Sequence, residues 1–176
     1  DAPVADAVAW GSGNPEVTLA QLLSHSSGIL GGPASQFYAP YLCSAMFVGS
    51  LQGCGETIFT TPDDDVDLVP PDTNFGWPGT GADYQVAGAV AEAASGKTWA
   101  ELVDEIYVQP CGLEVLAYNS PWFQLPFDPV TFSYPDVGDD VVSLLAPTEN
   151  PSIQAGAYAT AADYAAVLLM HLRDGM

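Results

Sequence analysis

The segment "LLSHSSG", Leu22 to Gly28, sets His25, one of only two histidines in the chain, among Ser24, Ser26 and Ser27. A serine beside an imidazole is the pairing that nucleophilic catalysis uses, so the segment is either a nucleophile with its base or a polar turn. A lysine-activated serine is the other common arrangement. It needs the amine one helical turn beyond the hydroxyl, and the single lysine, Lys97, has Ala94 at that earlier position. "SGKT", Ser95 to Thr98, resembles the end of a phosphate-binding loop, but Ala91 stands where that loop requires glycine. Neither a G-x-S-x-G elbow nor a C-x-x-C pair is present.

In "PDDDVDLVPPDTN", Asp63, Asp65 and Asp67 alternate as the first ligands of a calcium loop do. Leu68 replaces the glycine of such a loop and Asn74 its bidentate glutamate, so a solvated acidic loop is the preferred reading and calcium the one candidate cofactor. Cys43 and Cys54 are close enough in sequence to close a short loop, an expected disulfide in an oxidising compartment. Cys111, in "QPCGLE", reads as a small buried hydrophobe.

These residues must be positioned by a chain of 176 residues with 48% hydrophobic content, enough for one buried core. The formal net charge of -20 repels phosphate backbones and anionic lipids, which excludes nucleic acid as a partner. No apolar run is long enough for a membrane span, and "DAPVADAVAW" has none of the marks of a signal peptide. Four helices are expected. "TLAQLLSH" opens with a capping box of Thr18 and Gln21, and "YQVAGAVAEAASG" follows Asp83 as N-cap and ends before Gly96. "TWAELVDEIYVQP" has a second capping box, Thr98 with Glu101, an inward face of Leu102, Val103 and Ile106, and a stop at Pro110. "TAADYAAVLLMHLRDG" has Thr160 as cap, Asp163 in its first turn and His171 with Arg173 in its last. Between them lie loops over 29–82 and 114–159, with weak strand signals at "ETIFTT" and "DVVSLL".

Three blocks in order resemble the serine beta-lactamase-like family, which includes class C beta-lactamases, D-alanyl-D-alanine carboxypeptidases and esterases. "VTLAQLLSHSSGI" is similar to its I-T-I-x-x-L-L-x-H-T-S-G-L segment. "PGTGADYQVAGAVAEAASGKTWAELVDEIYVQPCGLE" is similar to its P-G-x-x-x-x-Y-S-N segment and the two helices that follow. "AGAYATAADYAAVLLMHLRDG" is similar to its G-G-L-x-S-T-A-x-D-L-A-R-F helix. The resemblance implies an α+β fold of which residues 1–176 are a partial domain, mostly the helical subdomain, with the main sheet largely elsewhere. It makes His25 part of a supporting turn. It aligns Tyr84 with the catalytic tyrosine of the Y-x-N motif and puts Val86 in place of its asparagine. The S-x-x-K serine and lysine would lie upstream and the H-x-G or K-T-G strand downstream, so the chain alone is expected to be inactive. Two functions follow: a secreted or periplasmic serine hydrolase of small esters or amides when complete, or a non-catalytic extracellular assembly module. Either would pair this chain with the missing parts of its domain or with a partner chain.

Overall fold

The structure, a computed structural model, describes residues 2–29, 41–46, 48–61, 69–73, 82–119, 128, 130–131, 133, 147–173 and 175. Its elements are mostly helical. In chain order they are α1 (Leu19–Leu23), α2 (Leu42–Met46), α3 (Leu51–Phe59), α4 (Ala82–Ser95), α5 (Trp99–Val103), α6 (Gln109–Cys111) and α7 (Ala161–Leu172). Two short strands, β1 (Leu116–Ala117) and β2 (Tyr158–Ala159), pair antiparallel with Leu116 opposite Ala159 and Ala117 opposite Tyr158. This is the mostly helical portion of an α+β fold that the motifs imply.

Helix α4 is the central element. Ala82, Asp83, Gln85, Val86, Ala87, Gly88, Ala89 and Val90 are all buried along it. Val86 and Val90 join Val4, Val17, Leu22, Ile58 and Phe59 in one apolar cluster, against which Trp10 packs. Helix α1 begins as expected: Thr18 Oγ1 accepts the Gln21 N–H while the Gln21 side chain accepts the Thr18 N–H. Thr98 and Glu101 do the same for α5, and these bonds from Thr98 hold the Glu101 carboxyl below the usual range.

Helix α3 lies inside the expected loop, and it contains most of "ETIFTT". Of the β-branched residues that suggested a strand, Ile58 is buried in the core and Thr57 donates its hydroxyl to the Gly53 carbonyl, while Thr60 and Thr61, at and beyond the helix end, donate theirs to the carbonyls of Glu56 and Thr57. Ser50 caps this helix by accepting the Gly53 N–H at 3.1 Å. The "DVVSLL" segment lies outside the described residues.

The helix that starts at Trp99 does not stop at Pro110 but continues to Cys111 and ends at Gly112, whose φ is 62°. A π-helical turn over Asp104–Val108 opens the backbone where the Pro110 ring would crowd the carbonyl of Ile106. The altered register explains the corrected inward face. Val103 is buried and Leu102 half-buried, but Ile106 is exposed.

Helix α7 begins at Thr160, and its anchor is Asp163. This carboxylate accepts the Thr160 hydroxyl at 2.6 Å and the backbone N–H groups of Glu114 and Val115 at 3.0 and 3.1 Å. The Thr160 hydroxyl first, then the Glu114 N–H, hold its carboxyl below the usual range. Farther along, Ala166, Val167 and Met170 are half-buried, while Tyr164, Leu168, Leu169 and Leu172 are exposed.

Candidate active site

Two segments meet at the start of α4. The turn that follows α1 carries His25 in the left-handed region, φ 56°, a conformation that non-glycine residues adopt only when their surroundings fix it. The fixing groups are visible. His25 Nδ1 lies 3.1 Å from Asp83 Oδ2, and the Ser27 hydroxyl donates to Asp83 Oδ1 at 2.6 Å. Ser27 Oγ in turn accepts the Ile29 N–H at 3.0 Å. Asp83 is fully buried and stands in the first turn of α4, where the helix dipole favours its negative charge. The expected N-cap is therefore not a cap. Asp83 is the buried acceptor that ties the His25 turn to the helix.

Tyr84 is the next residue, half-buried between the buried Asp83 and Gln85. Its ring faces that of His25 with centroids 4.6 Å apart and planes tilted by 48°. The residue that sequence reasoning singled out thus sits at the surface of a tightly bonded corner. Ser24 and Ser26 have other duties: Ser24 donates to the Ala20 carbonyl at 2.8 Å and Ser26 to Asp72 Oδ1 at 3.0 Å. Val86 is fully buried in the apolar cluster, so the position of the motif asparagine packs the core and offers no polar group.

Next to Val86 stands a third polar residue of this turn, Gln85. It is buried, donates to Asn150 Oδ1 and the Pro151 carbonyl at 2.8 Å each, and accepts the Ile153 N–H at 3.1 Å. Asn150 then donates to the carbonyls of Cys43 and Val48. Nothing in the sequence marks Gln85 or Asn150. Their partners are backbone groups and each other, more than sixty residues apart.

Lys97 lies beyond the other end of α4 and pairs with Glu105. Tyr84 and Ser95 are separated along the helix by about 16 Å at 1.5 Å per residue. His171 is on α7, its ring 5.8 Å from that of Tyr107. The structure therefore brings His25, Ser27, Asp83 and Tyr84 together and leaves Lys97 and His171 elsewhere. A cavity of about 700 Å³ opens near Lys97, with Glu92, Trp99, Val103, Leu116 and Tyr118 in its wall. Burial, and then the neighbouring Tyr107, push the Tyr118 hydroxyl above its ordinary range. Glu92 is two turns along α4 from Tyr84, so this cavity and the Tyr84 corner are separate places.

Cys43 and Cys54 form a disulfide with Cα atoms 5.6 Å apart, joining α2 to α3. The Cys111 thiol is half-buried, 3.4 Å from Met170 Sδ. Asp63, Asp65 and Asp67 lie outside the described residues. Among the described residues no group of three or more His, Cys, Asp or Glu is arranged to hold a metal, and no helix is long and apolar enough to cross a membrane.

The described structure is thus a helical layer on one central helix, with Tyr84 at the start of that helix against the turn that carries His25. The chain belongs to the Beta-lactamase family, whose match runs over residues 1–175. It is 28% identical over 165 residues to penicillin-binding protein 4 of Amycolatopsis lactamdurans, covering 91% of this chain and 39% of that protein. Its fold is similar to that of a penicillin-binding protein from Bacillus halodurans, with a TM-score of 0.68 and 23% identity over 99% of this chain and 53% of the other. It is also similar to EstCE1, a hydrolase with promiscuous acyltransferase activity, with a TM-score of 0.63 and 20% identity over 100% of this chain and 52% of that one. The chain spans between about two-fifths and half of the length of these relatives.

Proposed function

We propose that residues 1–176 are the helical part of a secreted or periplasmic serine hydrolase that transfers the acyl group of a small ester or amide. The nucleophilic serine, its lysine and the H-x-G or K-T-G strand come from segments outside these residues. Tyr84 takes the serine proton as the hydroxyl attacks the carbonyl and returns it to the departing alkoxide or amine. The observation that carries this reading is the Tyr84 corner: a half-buried phenol at the start of the central helix, held by buried neighbours on both sides.

A phenol does this work only if nearby cations lower its pKa. The paired Lys97 at the far end of α4 is not that cation, which supports a lysine from outside the chain. Val86 favours an ester over a beta-lactam or peptide, because the group that would hold a substrate amide is replaced by a core residue. The same residue supports the second reading, a non-catalytic extracellular assembly module, as does the exposed apolar face of α7.

Hydrolysis of a p-nitrophenyl ester and of a penicillin by the polypeptide isolated from its source separates these readings. Ester turnover that falls at least a hundredfold in Tyr84→Phe, with little penicillin turnover, is the expected result. Absence of both activities in folded protein favours the assembly module.

A further inference from the structure

The imidazole of His25 does more than complete a turn. Two contacts and a constrained backbone fix its place. Asp83 Oδ2 lies 3.1 Å from its Nδ1, the backbone is held at φ 56°, and the Tyr84 ring lies 4.6 Å from its own. Asp83 has its other oxygen bonded to the Ser27 hydroxyl, so neither the carboxylate nor the turn is free to rotate. Asp83 and Tyr84 are adjacent in the chain, yet one is fully buried and the other half-exposed. The imidazole bridges this boundary, with its edge on the carboxylate and its ring against the phenol ring. The Asp83 bond alone accounts for a histidine that holds the turn, whereas the contact with the Tyr84 ring is additional to it.

We infer that His25 is a positioning residue for Tyr84. Anchored by Asp83, it fixes the direction in which the phenol points and therefore the path of the proton that Tyr84 carries. A fixed base matters because a misplacement of about 1 Å in a reacting group costs on the order of a hundredfold in rate. The inference rests on the proposed role of Tyr84, and its test distinguishes failure of that role from failure of the inference itself.

The experiment measures the acylation rate constant and substrate KM for an ester in the polypeptide isolated from its source, with four variants. Tyr84→Phe tests the underlying reading. His25→Gln keeps a donor for Asp83 but removes the ring, His25→Phe keeps a ring but removes the donor, and His25→Gln/Tyr84→Phe closes a double-mutant cycle. The expected result is a fall of about ten- to a hundredfold in acylation rate for each His25 variant at unchanged KM. The double variant should be no slower than Tyr84→Phe alone, because an unpositioned residue that is already absent cannot be lost twice. If His25→Phe does not fold, His25→Gln carries the test by itself, with circular dichroism confirming its fold. An unchanged rate in Tyr84→Phe overturns the role of Tyr84. A slow Tyr84→Phe with a fast His25→Gln, or with penalties that multiply in the double variant, overturns the inference and leaves Tyr84 in place.

Discussion

Gly55 of α3 and Ala89 of α4 meet so closely that a Cβ on Gly55 would stand 2.6 Å from the Cβ of Ala89. The two helices approach each other through this missing methyl group. Replacing Gly55 with Ala gains about 0.5–1 kcal/mol of helix propensity but forces overpacking that costs about 1–3 kcal/mol. Thermal melts should show Gly55→Ala destabilising in the native background and stabilising in an Ala89→Gly background. A stabilising effect in both backgrounds would mean that the helices are not in contact there.

Thr160 and Asp163 anchor α7, and they predict an acid sensitivity. Thr160→Ala removes an N-cap and should cost about 1 kcal/mol. The Asp163 carboxyl is lowered in the folded state, so its contribution is complete above the unfolded value of about 3.9 and is lost as pH falls through the lower folded value. The Tm difference between native protein and Asp163→Asn should therefore shrink as pH is lowered from 5 to 3. A difference that stays constant over that range would refute the assignment.

Capping chemistry was legible in the sequence because it is local: Thr18 with Gln21, Thr98 with Glu101 and Thr160 with Asp163 are each three residues apart. Helix α3 was hidden by the same glycine that lets it pack, since Gly55 lowers helix propensity and reveals its purpose only against Ala89. The Pro110 stop failed because a π-helical turn relieved the clash on which the rule depends. Tyr84 is singled out by its motif alone, whereas Asp83 reads as a cap because a short carboxylate at a helix start is a common N-cap. Its partners, His25 and Ser27, lie more than fifty residues upstream. Gln85 and Asn150 were invisible for the same reason.

The Cys43–Cys54 bond closes a short loop and joins α2 to α3. Reduction, or Cys43→Ser with Cys54→Ser, should cost about 2–4 kcal/mol and lower the Tm by several degrees. In non-reduced peptide mapping, Cys111 should alkylate after denaturation and the other two should not. Alkylation of all three would remove the support for an oxidising compartment.

A formal net charge of -20 on 176 residues leaves carboxylates repelling one another in the folded protein. Raising sodium chloride from 10 mM to 500 mM shortens the Debye length from about 30 Å to a few ångströms and should raise the Tm. A Tm that is flat or falls with salt would mean that these charges are already neutralised.

The decisive measurement for the proposed serine hydrolase is intact mass after treatment with a fluorophosphonate, with residues 1–176 and the polypeptide isolated from its source measured side by side. One stoichiometric adduct is expected on the isolated polypeptide, at a serine outside residues 1–176, and none on residues 1–176 alone. An adduct on any serine within residues 1–176, Ser24, Ser26 and Ser27 above all, would contradict this expectation.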